Sequence, residues 1–259
     1  MSEQSWAVIL GASSGFGAAT SRELAKSGYN ICGVHLDRKS TMPQVAEIQE
    51  DIRSSGVEAL FFNANAVDEE KRATVIDELK SRGARVRVLM HSLAFGTLRN
   101  YIEDDPKQEI TQRQMDMTLD VMANSLVYWA QALVHGDLLV EDSRIFSMTS
   151  EGSYRVWAGY GAVSAAKAAL EAHTRQLAVE LASRKVSVNA IQAGVTHTPA
   201  QDKIPGAAEM LEGAARRNPY GRVTTTEDVA RVIRALSEPG LGWVSGNVIR
   251  VDGGEALVP

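Results

Sequence analysis

The residues in this chain that could most readily do chemistry together are Tyr160 and Lys167, seven positions apart in an alanine-rich segment. Seven residues make nearly two turns of helix, so the two side chains can share one helical face. A neighbouring ammonium group favours the phenolate and makes a tyrosine a better proton donor near neutral pH. The pair alone is not specific, because an ordinary surface lysine and a turn tyrosine would have the same spacing.

The composition favours one globular domain over residues 1–259. Of these residues 44% are hydrophobic and 23% are charged, and the chain shows no linker, low-complexity run or internal repeat. The net charge of −5 and the lack of a concentrated Lys/Arg stripe argue against nucleic acid as the main partner.

Several features predict a cytoplasmic protein. The N-terminal sequence MSEQSWAVIL has no basic region and only a short apolar run, unlike a signal peptide. No apolar stretch approaches the length of a membrane span. The single cysteine, Cys32, allows no intrachain disulfide, and the five histidines lack metal-ligand spacing, so no metal is predicted.

Short apolar segments rich in Val and Ile alternate with amphipathic helical segments along the chain. Strands are predicted at 6–10, 30–34, 57–62, 86–91, 143–148, 186–191 and 247–251, and helices at 16–27, 43–55, 69–82, 111–135, 160–184 and 227–237. This alternation predicts an α/β fold: a Rossmann-like, doubly wound sheet of about seven parallel strands with helices on both faces. Ligands of such sheets bind at the carboxyl ends of the strands.

A glycine turn, Gly11-Ala-Ser-Ser-Gly15-Phe-Gly17, joins the first predicted strand to the first predicted helix. Glycines allow a tight turn and close backbone approach, while the helix N-terminus attracts a pyrophosphate. The expected dinucleotide contacts are Gly11, Ser13, Ser14, Gly15, Phe16 and Gly17. The turn also fits the G-x-S-x-G elbow of hydrolases, but only ten residues precede it, too few for the loop that completes an oxyanion hole.

Four features together resemble the short-chain dehydrogenase/reductase family: the glycine turn, Tyr160 with Lys167, VNAIQAG at 188–194, and VDGG at 251–254. They cover essentially the whole chain. Most members use Tyr-x3-Lys, but position 163 is valine, and Tyr-x6-Lys is typical of the enoyl-acyl-carrier-protein reductase branch. VLMHSLAF at 88–95 is similar to that branch as well. The resemblance implies an NAD(P)H-dependent oxidoreductase that assembles as a homodimer or homotetramer.

The resemblance also implies roles for three residues. Tyr160 would stabilise an enolate oxygen, Lys167 would hold the nicotinamide ribose, and Ser150 would orient the substrate. Many enoyl reductases carry a second tyrosine where this chain has Ser150, so a carbonyl reductase or alcohol dehydrogenase with a displaced tyrosine stays open. A dinucleotide-sensing regulator is a further alternative, against which the retained Tyr160 and Lys167 argue. Tyr154 is a second candidate for the catalytic tyrosine.

The end of the second strand bears on the choice of cofactor. His35 occupies the position that is usually acidic, Arg38 and Lys39 could meet a 2′-phosphate, and Asp37 would repel one if it pointed inward. These residues favour NADP(H) slightly over NAD(H). The resemblance implies further cofactor contacts after the third, fourth and sixth strands, at Asn65, Ala66, Ser92, Leu93, Ala94, Gly194, Val195 and Thr198.

Residues 198–220 are polar and punctuated by proline and glycine, which is typical of the substrate lid in this family. The predicted substrate is a small-molecule or carrier-bound acyl compound. The leading hypothesis is reduction of the C=C bond of an enoyl thioester in fatty acid biosynthesis.

Overall fold

The computed structural model describes residues 5–258, so positions 1–4 and 259 of the predicted domain lie outside the described residues. Seven parallel strands form one sheet in the order β3-β2-β1-β4-β5-β6-β7. The strands are β1 (Ser5–Leu10), β2 (Asn30–His35), β3 (Ala59–Asn63), β4 (Arg85–His91), β5 (Leu139–Thr149), β6 (Ser187–Ala193) and β7 (Val248–Val251). The predicted Rossmann-like architecture is confirmed.

Helices cover both faces of this sheet. Within residues 5–258 the α-helices are α1 (Gly15–Lys26), α2 (Met42–Ser54), α3 (Glu69–Ser81), α4 (Gln112–Leu119), α5 (Ser125–His135), α6 (Gly161–Glu180), α7 (Ala207–Arg217) and α8 (Thr226–Leu236). Helices α3, α5 and α6 pack on one face, and α1, α2 and α8 pack on the other. None of these helices is long and apolar enough to cross a membrane.

The central strand β1 shows why its sequence is apolar throughout. Trp6, Val8 and Leu10 join the core under α3, α5 and α6, while Ala7 and Ile9 join the core under α1, α2 and α8. Successive side chains of a strand point to opposite faces, so a strand covered on both faces needs apolar residues at every position. The strand is therefore held firmly, and so is the point where the glycine turn leaves it.

Most predicted elements lie within two residues of their observed bounds, and the larger differences have physical causes. The predicted helix 111–135 is divided by a π-helical turn at Asp120–Asn124, which separates α4 from α5. Strand β5 begins at Leu139, four residues earlier than predicted, through a polar stretch that pairs with β4 near Val86. Helix α7 lies inside the predicted lid, where its polar sequence had favoured a loop.

The chain order places a crevice at the carboxyl end of β1. Strand β1 has β2 on one side and β4 on the other, so the connections from this point run in opposite directions across the sheet. Leu10 of β1 pairs with His91 of β4, and both strands end there. A doubly wound sheet binds its ligand at such a topological switch point. The predicted contacts that follow β1 and β4 therefore face each other across the crevice.

Gly17 in the first turn of α1 offers a test of this packing. A Cβ atom there would overlap the carbonyl oxygen of Gly11, whereas one at Gly213 on α7 would have no atom within 4 Å. We expect Gly17→Ala to lower the free energy of unfolding by about 2 kcal/mol through overpacking. Gly213→Ala should raise it by roughly 0.5 kcal/mol through helix propensity. Urea denaturation without added cofactor measures both, and equal effects would contradict the close approach.

Candidate functional site

The glycine turn has the conformation that only glycine adopts readily. Gly11 has φ of +90° and Gly15 has φ of +52°, values in the left-handed region. A Cβ on Gly11 would overlap the carbonyl oxygen of Ser92, in the loop after β4. The backbone N–H groups of Gly11 and Ala12 both donate to the carbonyl of Val34, at 2.8 and 3.2 Å, which ties the turn to β2.

The N-terminus of α1 opens directly from this turn. Ser14 is its N-cap residue, and its side chain does not cap the first turn of the helix. Thr198, from the segment after β6, approaches the same place: a Cβ on Gly15 would lie 3.4 Å from its Cγ2 atom. The structure thus brings together Gly15 and Thr198, which are far apart in sequence. The exposed amide groups of a helix start and the close backbone fit a pyrophosphate.

The end of β2 changes the expectation about the cofactor. The Asp37 carboxylate contacts the ring of His35, with 2.9 Å between His35 Nδ1 and Asp37 Oδ2, and accepts a hydrogen bond from Thr41 Oγ1 at 2.8 Å. Burial alone would raise the pKa of Asp37, but hydrogen bonding by Ser13, Thr41 and His35 outweighs it and lowers that pKa. A carboxylate that faces Ser13 points toward the glycine turn.

The slight preference for NADPH is therefore not supported. An ionised Asp37 beside the glycine turn would repel a 2′-phosphate and accept hydrogen bonds from ribose hydroxyls. Arg38 is exposed to solvent. His35 is buried and contacts Asp37 rather than the crevice. The sequence pattern could not decide this, because it did not show which way Asp37 points.

The predicted contacts after β3 and β4 lie at the same edge of the sheet. Asn65 turns its side chain inward on its own loop, where Oδ1 accepts from the Val67 N–H group at 3.3 Å. Ala66 is buried, and its carbonyl accepts a hydrogen bond from Trp129 Nε1 at 2.8 Å. Ser92 donates its N–H group to the carbonyl of Leu10 at 2.9 Å, and Leu93 and Ala94 follow it.

Ser150 and Tyr160 lie together where β5 ends and α6 begins. Tyr160 occupies the N-cap position of α6. Burial raises the pKa of its hydroxyl above the ordinary value, and the nearby Ser150 hydroxyl acts more weakly in the opposite direction. Ser150 Oγ is buried and has no hydrogen-bond partner within residues 5–258. Two neighbouring hydroxyl groups thus lie at the edge where the predicted cofactor segments meet.

Lys167 lies behind Tyr160 on the same helix. It is 7% exposed, and its Nζ donates a hydrogen bond of 2.6 Å to the carbonyl of Met148. Burial lowers the pKa of Lys167 to about 8, and Glu171, one turn further along α6, opposes that shift. The sequence pattern suggested a lowered Tyr160 pKa, but burial raises this pKa instead.

Tyr154, the second candidate tyrosine, lies in the loop between β5 and α6. Its side chain is 55% exposed, and its hydroxyl accepts a hydrogen bond of 3.2 Å from Gln192 Nε2 on β6. Tyr160 is more buried and stands at the start of the helix that carries Lys167. Tyr160 therefore remains the first candidate for the catalytic tyrosine, and the Tyr154 hydroxyl binds Gln192.

The segment after β6 is held from two directions. Gly194 donates its N–H group to the carbonyl of Val251 at 3.2 Å, and Val195 donates its N–H group to the carboxylate of Glu255 at 3.3 Å. Thr198 is buried, and its Oγ1 accepts a hydrogen bond from the Gln201 N–H group at 3.2 Å. Glu255 was missed by the sequence analysis, since a lone glutamate after VDGG carries no pattern.

Two cavities flank the loop between β5 and α6. One cavity, of about 500 Å³, is lined by residues of this loop together with Tyr101 and Ser164. Neither Tyr160 nor Lys167 lines it. The other, of about 330 Å³, lies between Trp157 of the loop and the lid helix α7, where Met210 and Arg217 line it. The second cavity separates this loop from the predicted lid, and neither Tyr160 nor Lys167 lines it either.

The family comparison agrees with this geometry. A family model described as enoyl-(acyl carrier protein) reductase matches residues 11–255. The chain belongs to this family. It is therefore an oxidoreductase of the short-chain dehydrogenase/reductase type, in the enoyl reductase branch, and its cofactor is a nicotinamide dinucleotide.

Similar proteins include reductases with different printed substrates. An NADH-dependent enoyl-[acyl-carrier-protein] reductase from Nostoc is 28% identical, over 92% of this chain and 90% of that protein. A hydroxynaphthalene reductase-like protein from Metarhizium majus is 26% identical, over 96% of this chain and 93% of that protein. The structure of an NADH-dependent enoyl-[acyl-carrier-protein] reductase from Aquifex aeolicus superposes with a TM-score of 0.85 at 22% identity, over 99% and 98% of the two chains. These similarities support the fold and do not identify the substrate.

The buried charge of Lys167 should show itself in the pH dependence of stability. Its pKa is about 8 in the folded protein and 10.5 in the unfolded chain, so between these values the unfolded chain binds more protons. Stability must therefore rise with pH in this window. We expect the free energy of unfolding of the wild type to gain roughly 3 kcal/mol relative to Lys167→Met from pH 8 to 10.5.

Urea denaturation of both proteins from pH 8 to 10.5 measures the difference between their free energies of unfolding. The other titrating groups are the same in both proteins, so their contributions cancel in this difference. Parallel stability curves would show that Lys167 is not titrated near pH 8 and would contradict its burial as a charged group.

Proposed function

We propose that the protein is an NADH-dependent reductase that delivers hydride to the β-carbon of an enoyl thioester. The observation that carries this proposal is the Tyr-x6-Lys arrangement on α6. Tyr160 stands at the helix start beside the unpartnered hydroxyl of Ser150, and Lys167 is buried behind it. Position 163, where most short-chain reductases have the tyrosine, is a buried valine. This spacing separates the enoyl reductase branch from the ketone reductases.

The residues at the switch point fit a nicotinamide dinucleotide. Gly11 and Gly17 let the turn pack tightly against the Ser92 and Gly11 carbonyl groups, so α1 begins at the switch point, where its N-terminus can meet a pyrophosphate. Gly194, Val195 and Thr198 lie across the crevice, where we place the nicotinamide carboxamide. When bound, the cofactor supplies the hydride. The other proposed cofactor contacts lie in the turn and in the loops after β3 and β4: Ser13, Ser14, Phe16, Asn65, Ala66, Ser92, Leu93 and Ala94.

Tyr160 acts through a hydrogen bond to the thioester oxygen. Its raised pKa keeps the hydroxyl protonated at neutral pH, so it can donate to an oxygen that gains negative charge as the C=C bond is reduced. A donor that is already in place for developing charge is a large contribution to catalysis. Ser150 Oγ, buried and free of other partners, is a second donor to the substrate or to Tyr160.

Lys167 contributes a positive charge and binds the ribose of the nicotinamide. Its Nζ donates to the carbonyl of Met148 through one of three N–H bonds, which leaves two donors for ribose hydroxyls. Because its pKa is about 8, the group is largely charged at neutral pH. The same charge favours the enolate that forms close to Tyr160 when hydride reaches the β-carbon of the thioester.

Asp37 is the basis for proposing NADH. The carboxylate is ionised at neutral pH and faces Ser13 in the glycine turn. A ribose 2′-hydroxyl can donate to it, whereas a 2′-phosphate would be repelled. The negative charge of Asp37 therefore favours NADH over NADPH.

The remaining expectations belong to the same proposal. We propose that the protein works in the cytoplasm, as a homodimer or homotetramer, on a small-molecule or carrier-bound acyl substrate of fatty acid biosynthesis, without metal or nucleic acid. Residues 198–220, with α7 at their centre, act as the lid over the 330 Å³ cavity.

Crotonyl-CoA tests the reaction. We expect oxidation of NADH with crotonyl-CoA and none with simple ketones, followed as loss of absorbance at the nicotinamide band. Tyr160→Phe should lower kcat by about 100-fold, because it removes the donor to the oxyanion. Tyr154→Phe is the matched control and should stay within about two-fold. Turnover of ketones without crotonyl-CoA would establish the carbonyl reductase alternative, and unchanged turnover in Tyr160→Phe would exclude this tyrosine.

The choice of cofactor is tested at Asp37. Asp37→Ser should lower the ratio of kcat/KM for NADH over NADPH by about ten-fold, because it removes the charge that repels the 2′-phosphate. Glu47→Gln, an exposed carboxylate on α2, is the matched control and should leave the ratio unchanged. A wild-type preference for NADPH, or an equal response of the two variants, would contradict the role of Asp37.

A further inference from the structure

Glu255 is a buried carboxylate in the turn that follows β7. It is 2% exposed, and each of its oxygens has a different partner. Oε1 lies 3.2 Å from Arg217 Nη2, and Oε2 accepts a hydrogen bond of 3.3 Å from the Val195 N–H group. A carboxylate is costly to bury unless it is paired and hydrogen-bonded. Here one side chain satisfies both requirements by joining two separate parts of the chain.

The two partners belong to two separate segments of the proposed site. Arg217 is the last residue of the lid helix α7. Val195 lies in the segment after β6, where we place the nicotinamide carboxamide. Gly194 makes the contact possible, since a Cβ there would lie 2.9 Å from Glu255 Oε2. Glu255 therefore forms a direct connection between the lid and the cofactor segment.

The base of α7 is anchored at a second point beside this connection. Asn218 is buried, and its Nδ2 donates a hydrogen bond of 2.8 Å to the carbonyl of Asp252. Arg217 itself lines the 330 Å³ cavity under α7, together with Trp157 and Met210. The position of Arg217 thus depends on both the cavity and Glu255, so a substrate that moves α7 also acts on the carboxylate.

We propose that Glu255 is a positioning residue that couples closure of α7 over the substrate to the placement of the cofactor segment at Val195. The coupling rests on the proposed function, because it assumes a nicotinamide at Val195 and an acyl chain under α7. The ion pair with Arg217 links Glu255 to the lid helix, and the hydrogen bond from the Val195 N–H group links Glu255 to the cofactor segment.

Three charged groups act on Glu255. Arg217 reaches it from α7, Glu151 faces it from the loop after β5, and Asp252 lies three residues before it. Burial raises the pKa of Glu255 most, with smaller contributions from Glu151 and Asp252, while Val195 and Arg217 oppose the rise without cancelling it.

The experiment compares Arg217→Gln, Glu255→Gln and the double variant in the full-length protein, with Arg216→Gln as the matched control. Arg216 is the neighbouring arginine on α7; its side chain is 74% exposed and forms an ion pair with Glu212 at 3.7 Å. For each protein, fluorescence titration gives the Kd for NADH without substrate, steady-state kinetics gives KM and kcat for crotonyl-CoA, and thermal unfolding reports folding.

The coupling predicts a distinct result for each variant. Arg217→Gln should raise KM for crotonyl-CoA by about ten-fold while the Kd for NADH stays within about two-fold, because only the lid loses its anchor. Glu255→Gln should raise both values by about five-fold to ten-fold, because it also weakens the contact with Val195. The double variant should match Glu255→Gln, since one shared interaction is lost in both. Arg216→Gln should leave both values unchanged.

Three outcomes would overturn the coupling: equal behaviour of Arg217→Gln and Arg216→Gln, additive effects in the double variant, or a loss of thermal stability with KM and Kd unchanged. If Glu255→Gln does not fold, the comparison of the two arginine variants decides. Failure of the proposed function would look different, because the wild type itself would then show no NADH binding or no turnover of crotonyl-CoA. A wild type that reduces another substrate allows the same comparison with that substrate.

Discussion

The close approach of two backbone segments at the end of β1 is the constraint on which the rest of the site depends. Gly11 leaves no room for a side chain against the Ser92 carbonyl, and Gly17 leaves none against the Gly11 carbonyl. The first helix can therefore begin directly at the switch point, with its free N–H groups toward the crevice. Asp37, Thr198 and the loop after β4 are arranged around this turn, so their spacing follows from it.

The end of β5 organises the catalytic side in a similar way. Three consecutive residues there meet three groups of α6: the Met148 carbonyl accepts from Lys167, the Thr149 hydroxyl donates to Glu171 at 2.6 Å, and Ser150 faces Tyr160. Parallel strands end at one edge of the sheet, so this row stands beside the glycine turn. The chemistry of the site comes from the docking of one helix against one strand end.

Burial explains why the candidate groups differ from the same groups in water. It lowers the pKa of Lys167 to about 8 and raises that of Tyr160, which suits a phenol that donates a hydrogen bond rather than one that ionises. The distant carboxylates act differently. Asp37 is kept ionised by several donors, whereas Glu255 shares its charge between a lid residue and a backbone amide. Glu255 is thus held by a residue of α7 and by the segment after β6.

The sequence by itself determined the fold and predicted the main candidate site residues. Apolar strands such as β1 must be covered on both faces. The glycine turn before a helix predicts a pyrophosphate site. Valine at position 163 excludes a catalytic tyrosine at the position that most members of the family use. Only the tertiary structure decided the direction of Asp37 and the partners of Glu255. Local patterns report periodicity and backbone freedom, but the direction of a loop carboxylate depends on groups far along the chain. Asp37 faces Ser13, which lies in the turn after β1, and Glu255 binds Arg217 and Val195. These partners are distant in sequence, so local sequence patterns could not predict either arrangement.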